Sequence, residues 1–560
     1  MSSPLPPDVP HQTNLASTGS LNGRWRWGAA ILTVALVAQA VLLTYWWGDP
    51  THSKMSVLFV WPAALFALTI WWAFFSGWSR GVRFGTLTAI AALTVAFFSL
   101  YRLEWDGAMV PRRFVLRSKP SGEEIARQYL KDRPSKSVPA PDAANAPEQA
   151  PLVLTPGDWP GYRGPNRDGV ITGGDLRLNW NVQPPREVWR HPVGRAWSSF
   201  AVIGNHAFTQ EQRDDKECVV AYHVETGNEL WVHEDTTILS IVDANGGPGP
   251  HATPQFDSGL LYSLGGTGIL NCLDAASGKR IWTVNILADA GKENSPVPNI
   301  EWGMSCSPLV VDDLVIVIPG GSDVSGGVGF DRGVAAYHKI SGQLVWSAGK
   351  HKSSYGSPRL AELAGVRQLM IPNAVGLSGH DSDTGRELWF FPLENGSHVN
   401  STMPWVIDEQ SLIFGTGYGV GSVRLQISQT GDKWSAEQMW KTNRFRPKFN
   451  EFVVHEGHAY GLDDGTLACL DIETGKIKWR QGRYGYGQLL LVDSTLLIIT
   501  EDGELLLLPA EPVKPEVIAS MKVLDSGFCW NHPVLVRGKL LLRNAVEAVC
   551  FDVSKPQNDE

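Results

Sequence analysis

The most reactive side chains in this 560-residue sequence are six cysteines, Cys218, Cys272, Cys306, Cys469, Cys529 and Cys550. None is adjacent to another and no Cys-x-x-Cys occurs, so neither a zinc site nor a redox pair is signalled. Cys272, Cys469 and Cys550 each stand directly before a Leu-Asp or Phe-Asp pair, at places held elsewhere by Ala221, Ala336 and Gly379. A slot filled by Cys, Ala or Gly reads as a small-residue packing position. The run Gly415-Thr-Gly-Tyr-Gly-Val-Gly421 lacks the Lys-Ser/Thr of a phosphate loop, and no helix follows it. Asp463-Asp464-Gly465 and Glu501-Asp502-Gly503 carry oxygens of the kind calcium takes, but both fall where hairpin turns are expected. Neither Gly-x-Ser-x-Gly nor His-Glu-x-x-His occurs. No catalytic set is therefore legible.

The elements that carry these residues repeat. A short apolar strand, a polar turn, a second strand, a Thr/Ser-Gly turn and a final strand with a tryptophan recur along the chain. Gly259–Trp282 and Gly457–Trp479 show it fully. The short, alternating, turn-bounded strands are those of meandering antiparallel sheets. The tryptophans stand at Trp189, Trp231, Trp282, Trp346, Trp389, Trp440 and Trp479, in steps of 42, 51, 64, 43, 51 and 39 residues. A further unit, Glu516–Val523, has lost its tryptophan. Periods of this size with four strands per unit mean a β-propeller. Arg186–Pro192 is a fourth strand without its first three. The C-terminus supplies three strands without a fourth, near Val534–Val536, Lys539–Leu542 and Glu547–Asp552. Pairing the two ends closes a ring of eight blades and leaves no open sheet edge. Each repeat tryptophan is then expected to dock between neighbouring blades.

The Thr/Ser-Gly-x-x-x-Trp turn after a Leu-Asp or Tyr-His strand resembles the tryptophan-docking repeat of quinoprotein-type propellers. That group includes the pyrroloquinoline quinone (PQQ) alcohol dehydrogenases and the propeller lipoprotein of outer-membrane assembly. Asp158-Trp-Pro-Gly-Tyr-Arg-Gly-Pro-Asn-Arg-Asp-Gly169, Trp197-Ser-Ser199 and Thr209-Gln-Glu-Gln-Arg213 resemble bacterial PQQ-like repeat proteins, over about residues 158–553. The resemblance implies that residues just before each first strand line one mouth of the central channel. Here these are Trp197, Ser198, His251, Trp302, Ser305, Tyr355, Asn400, Asn450, Tyr486, Trp530, Asn531 and His532, with Glu211 and Arg213 reaching in from the first unit. Aromatics, amides and imidazoles on a funnel suit a small polar or planar ligand. They also suit capping of loops. In the resembling dehydrogenases the cofactor lies between a tryptophan and a disulfide of adjacent cysteines, beside calcium. This sequence has no adjacent cysteines, so PQQ with calcium has no such support, and no metal ligands are assigned.

Upstream lie three uncharged apolar runs, Trp27–Trp47, Met55–Trp78 and Phe84–Tyr101. A spanning helix needs roughly 20 apolar residues, so three transmembrane helices are expected. Arg24 and Arg26 before the first, and Arg80 and Arg83 after the second, place the N-terminus in the cytoplasm. Arg112, Arg113, Arg117 and Lys119 argue the other way, but charges leading a long translocated domain count less. Ser121 and Glu124 form a capping box for a short helix, Gly122–Lys131, with Ile125 and Tyr129 on one face. Prolines from Pro134 to Pro156 then read as a spacer. A net charge of −9 gives a nucleic-acid partner no electrostatic support.

The sequence thus predicts an all-β eight-bladed propeller of four-stranded blades, residues 158–560, behind a three-helix anchor at 24–105. A disordered stretch over 1–23 and a juxtamembrane linker over 106–157 complete the division. The expected setting is the inner membrane with a periplasmic propeller. The expected role is a binding or scaffolding module for a protein partner or small polar ligand, and the alternative is a PQQ-dependent or quinone-linked oxidoreductase.

Overall fold

The computed structural model describes residues 19–45, 50–105, 111–132, 150–239, 249–290, 301–321, 332–525 and 528–555. The chain divides into two compact units, residues 1–119 and 120–560.

The first unit holds helices α1 (Gly19–Tyr45), α2 (Pro50–Phe75) and α3 (Arg80–Leu100), then a hairpin of Tyr101–Trp105 with Pro111–Leu116. The hairpin is not foreseen in the sequence. Among the described residues, α3 is long and apolar enough to cross a membrane by length and composition, and the apolar stretches of α1 and α2 are shorter, Trp27–Leu43 and Phe59–Phe75. No residue of α3 is buried, and Leu93 and Val95 are largely exposed. Hydroxyls along the helices turn back onto their own backbone, Thr33 to Ala29, Thr69 to Leu65, Thr86 to Val82 and Ser99 to Val95. Each donates to the carbonyl four residues before it, which satisfies a hydroxyl without water. Between α1 and α2, Gln39 Nε2 donates to Ser56 Oγ at 2.6 Å in a buried contact.

The second unit contains the propeller. Blades 1 to 7 take residues 201–235, 255–285, 309–348, 359–392, 405–442, 452–481 and 488–522. Blade 8 is built from Val534–Val536, Lys539–Arg543 and Glu547–Asp552 with Arg186–Pro192 as its outer strand. The chain ends share this sheet, with Cys550 opposite Trp189 and Asp552 opposite Arg186. Every blade is a four-stranded antiparallel meander, and blade 7 gains a fifth strand, Val170–Ile171, parallel to Gln488–Val492. In the unit without a tryptophan the fourth strand is Ala519–Lys522.

The repeat motif has a two-blade logic. The glycine of each Thr/Ser-Gly turn has φ near +70°, where a side chain is strained. A Cβ there would strike the tryptophan of the preceding blade. Gly227 lies under Trp189, Gly278 under Trp231, Gly342 under Trp282, Gly385 under Trp346 and Gly475 under Trp440. The indole N–H then donates across the blade boundary, from Trp189 to Val224 O at 2.6 Å, Trp231 to Ala275 O at 3.1 Å and Trp282 to Lys339 O at 2.9 Å. Trp440 and Trp479 do the same to Ile472 O and Glu511 O. Trp346 is seated on Gly385, but its Nε1 has no hydrogen-bond partner among the described residues, and Trp389 departs from the pattern altogether. Blade 5 extends its outer two strands to ten residues each, which carries the Thr430-Gly431 turn away from the seat. Trp389 instead leans over Gly379 of its own blade and donates to Gln368 Oε1 at 2.7 Å. The small-residue slot is the cross-strand partner of the tryptophan, as in Ala221–Trp231, Cys272–Trp282, Cys469–Trp479 and Cys550–Trp189, with a bulge one step on.

The segment that precedes blade 8's outer strand crosses the propeller rather than trailing from it. Trp159 exchanges backbone hydrogen bonds with Val202 of blade 1, and Pro160 O accepts from Phe256 N of blade 2. Helix α4 (Gly122–Asp132) also packs on the propeller. Its capping box forms, with Ser121 N donating to Glu124 Oε2 and Glu124 N to Ser121 Oγ at 3.1 Å. Its inward face differs from the expected one: Ile125 is exposed, while Ala126 is buried. Tyr129 stacks on His191, which stacks on Trp189, so the helix sits on the seam where the ring closes. Residues 133–149, which hold most of the expected spacer, lie outside the described residues.

Trp231→Ala is expected to cost about 3–5 kcal/mol, as for other large core truncations. Gly278→Ala is expected to be destabilising as well, since its φ is +72° and its Cβ would overlap the Trp231 ring. Chemical denaturation of both variants checks this, and unchanged midpoints would remove the two-blade reading of the motif.

Candidate ligand site at the propeller mouth

In a four-stranded meander the loop entering each first strand and the hairpin between second and third strands share one end of the sheet. All residues assigned to the mouth from sequence therefore lie at one face, and the Thr/Ser-Gly turns lie at the other. The innermost position of each entry loop is a polar belt. Ser199 N donates to Thr253 Oγ1, Thr253 N to Ser307 Oγ, and Ser307 N to Ser357 Oγ, at 2.9–3.0 Å. Gly356 N donates to Asn400 O, Met403 N to Glu451 Oε1, and Glu451 N to Gln488 Oε1. Gln488 Nε2 reaches Trp530 O at 3.0 Å, and Ser199 Oγ reaches His532 O at 2.6 Å. Each blade thus holds the next around the whole axis. The signal for this belt was in the sequence as a recurring polar-Pro pair, Thr253-Pro254, Ser307-Pro308, Ser357-Pro358 and His532-Pro533. Proline suits the position just before a first strand, at the inner edge of the sheet, because it has no N–H to leave unpaired there.

Above the belt the aromatic residues gather into two groups. Trp197 and Trp530 lie 4.5 Å apart between ring centroids, Trp530 and Phe449 4.9 Å, and Phe449 and Tyr486 4.7 Å. Phe528 stacks on Trp530 at 5.0 Å. Lys448 Nζ lies 4.8 Å from the Tyr486 ring and 5.0 Å from the Tyr418 ring, a cation–π arrangement in a buried side chain. The polar ends of the rings are tied down: Trp530 Nε1 donates to Glu501 Oε1 at 2.8 Å, and Tyr486 OH to Asp464 Oδ1 at 3.0 Å. Across the ring of blades, Trp302 and Tyr355 meet edge to face at 5.4 Å, and His251 Nδ1 contacts Ser305 Oγ at 3.2 Å. His251 Nε2 and Asn531 Oδ1 are buried without a hydrogen-bond partner among the described residues. Phe449, Lys448 and Glu501 were not among the residues assigned from sequence. Glu501 appeared there only as part of a turn.

Other assigned residues serve the fold. Asn400 is fully buried and donates its amide to Asn373 O at 2.8 Å. Asn450 accepts from Lys448 N and donates to Leu462 O, and Asn531 donates to Ser198 O at 2.7 Å. Glu211 and Arg213 form a separate buried network. Glu211 accepts from Gly194 N, Tyr222 OH and Arg213 Nε, and Arg213 also pairs with Glu229 at 3.0 Å. Burial pushes the Glu211 carboxyl up, but the charges of Arg213 and Arg543 with the Tyr222 and Gly194 bonds outweigh it, and the net shift is downward. Asp463 is fully buried and held by Arg446 and Arg480, so that turn is an ion-pair node.

The donor set of a PQQ site with calcium does not fit what is here. Among the described residues the six cysteines are buried and form no disulfide, and no group of three or more His, Cys, Asp or Glu side chains is placed to hold a metal.

Two acid responses follow. Glu211, with a folded value below its ordinary 4.5, lends stability that is present above that pH and is lost as pH falls through the folded value. His251, lowered by burial to about 4 from 6.5, takes up its proton first in the unfolded chain, so stability also falls as pH drops from 6.5 toward 4. Glu211→Gln is expected to cost about 3–5 kcal/mol at neutral pH, as for one partner removed from a buried pair. It is also expected to flatten the limb below pH 4.5, and His251→Gln the limb above it. Melting curves over about pH 3.5–7.5 check both.

Residues 215–481 match a family model described as PQQ_2, outer membrane protein assembly factor BamB. Quinohemoprotein alcohol dehydrogenase from Comamonas testosteroni aligns over 72% of this chain and 82% of its own, at 13% identity and a TM-score of 0.52. BamB from Moraxella catarrhalis aligns over 65% of this chain and 99% of its own, at 16% identity and a TM-score of 0.46. The likeness to the dehydrogenase is one of fold alone. No curated protein matches the chain.

Proposed function

The chain is a PQQ-like β-propeller repeat protein, and from that premise we propose that it is a membrane-anchored, extracytoplasmic binding or scaffolding module. Its working surface is the aromatic mouth. The observation that carries this reading is the wall of Trp197, Trp530, Phe449 and Tyr486. Its polar ends are fixed on Glu501 and Asp464, and Lys448 is seated among its rings. Rings held by fixed anchors lose little freedom when a partner covers them, and such aromatic clusters supply the strongest contacts of many interfaces. Fold alone does not choose between a scaffold and an enzyme. The choice rests on the site, which offers mainly stacking and hydrogen-bonding groups, and whose Ser305–His251 contact has no third group orienting the imidazole among the described residues, since His251 Nε2 has no hydrogen-bond partner there.

The anchoring half of the reading is supported by helices whose apolar side chains face outward and whose hydroxyls are satisfied internally. The positive residues flanking the first two helices support a cytoplasmic N-terminus. In this reading the three helices are an anchor, and no Asp, Glu, Lys or His lies in the middle of the apolar runs as an ion path.

A photo-crosslinking side chain at Phe528, in the full-length protein in intact membranes, is expected to trap a discrete partner. Trp530→Ala with Trp197→Ala is expected to abolish that adduct. The protein is expected to stay with the membrane after alkaline carbonate washing. An adduct that survives the double substitution would overturn the mouth as the working surface. Dye-linked alcohol oxidation after addition of PQQ and calcium would overturn the scaffold in favour of an oxidoreductase.

A further inference from the structure

One residue deeper than the polar belt, the axis holds a layer of arginines that form no ion pair with an acidic side chain among the described residues. Arg163 and Arg167 come from the segment that crosses the propeller, and Arg359 from the first strand of blade 4. Arg163 is 2% exposed and Arg167 5%, while Arg359 is half-buried. Their acceptors are backbone carbonyls and one side-chain carboxamide, Gln255 Oε1, which lies 3.4 Å from Arg167 Nη1. Arg163 Nη2 donates to Phe452 O at 2.9 Å and to Asp168 O. Arg167 Nη1 and Nη2 donate to Pro308 O and Ser307 O at 2.8 and 3.0 Å, and Arg359 Nη1 to Pro404 O at 3.1 Å. Five backbone carbonyls and one carboxamide oxygen, all neutral, do not cancel three full charges.

Two N–H-bearing atoms of this layer, Arg163 Nη1 and Arg167 Nε, are buried with no acceptor among the described residues. Arg359 lies close enough to both other guanidiniums for the charges to repel, and burial with that repulsion lowers it to about 10. Asp168 and Glu451 lie near enough to attract Arg359, but neither forms an ion pair with any of the three among the described residues. Glu451 Oε1 accepts from Met403 N at 2.9 Å and from Tyr162 OH at 3.3 Å. Tyr162 OH also meets His532 Nε2 at 3.0 Å, and burial raises Glu451 while it lowers His532. Asp168 turns its carboxylate to Val170 N. An unpaired buried charge is strongly destabilising, and an unmet buried donor adds to that cost. Such a cluster persists when an anion completes it, and the planar guanidinium fork matches the geometry of carboxylate and phosphate oxygens.

We propose that this layer is an oxyanion site, in which a small carboxylate- or phosphate-bearing molecule accepts the remaining guanidinium N–H groups on the propeller axis. The site is separate from the aromatic wall, and it stands whether or not the mouth binds a partner.

The test uses the full-length protein in detergent at fixed ionic strength, titrated with inorganic phosphate, with citrate and with chloride. The expected result is a saturable rise of at least about 2 °C in melting temperature with phosphate or citrate at low millimolar concentration, absent with chloride. General salting effects do not saturate in that range. Arg359→Gln, which gives up one protein hydrogen bond, is expected to weaken the apparent affinity at least tenfold while the protein still melts cooperatively. Trp530→Ala is expected to leave the shift intact, which separates this site from the mouth. Saturation by phosphate alone assigns a phosphoryl ligand, and by citrate alone a carboxylate; either upholds the site. No saturable response in the unsubstituted protein overturns the proposal, as does an Arg359→Gln response equal to it. Calorimetric titration of the unsubstituted protein with the same anions measures the binding directly, and an absence of heat there overturns the site without relying on a variant.

Discussion

A propeller depends on closure. Each blade buries its faces only against two neighbours, so a ring that fails to meet exposes two large apolar faces and a free strand edge. Here the last sheet is made from both ends of the array, with Glu547–Asp552 paired to Arg186–Pro192. Everything else that positions a side chain follows from that pairing. The polar belt runs from blade to blade and needs Ser199 of blade 1 to reach His532 of blade 8. The aromatic wall needs Trp197, just before blade 1, to meet Trp530, just before blade 8. Trp189, on the closing strand, rests on Gly227 of blade 1 and carries His191 and Tyr129 of α4 above it.

The tryptophan repeat and the belt divide the work between the two faces. At the turn face a large ring drops onto a glycine of the next blade, and its N–H satisfies a carbonyl there. This contact is short in range. Blade 3 takes a long insertion between its second and third strands and still seats Trp282 on Gly342. Where blade 5 lengthens its outer strands instead, the turn itself moves, and Trp389 loses its seat. At the mouth face a hydroxyl or carboxamide of one blade receives a backbone N–H of its neighbour. Together the two contacts fix blade spacing inside and out, which leaves the entry loops free to vary in sequence. Aromatic and charged residues can accumulate there without disturbing the ring, which is where a binding surface is expected.

Several assigned mouth residues have their polar groups bonded within the fold. Asn400 and Asn450 occupy the right place in the repeat, but a carboxamide one position from the belt finds backbone partners before it finds a ligand. Glu211 and Arg213 are consumed by their own network with Tyr222 and Glu229. Conversely, Phe449, Lys448 and Glu501 come from three different positions of the repeat and share no pattern. The arginine layer is of the same kind. Arg163 and Arg167 belong to a segment outside the array, and nothing in the spacing of 158–169 says that it crosses the axis.

The sequence by itself determined the architecture. Glycine at a turn, tryptophan four residues on and a strand before them are local demands of the backbone, so they repeat wherever a blade is built. The orphan fourth strand at 186–192 and the three unpaired strands at the C-terminus then left a ring as the solution. Tertiary structure alone decided the chemistry at the axis and the mouth. Those groups are brought together from residues hundreds of positions apart, as when Tyr162 meets Glu451 and His532. Whether a buried polar group bonds a neighbour or is left for a ligand depends on which atoms lie within about 3 Å, and no periodicity encodes that distance.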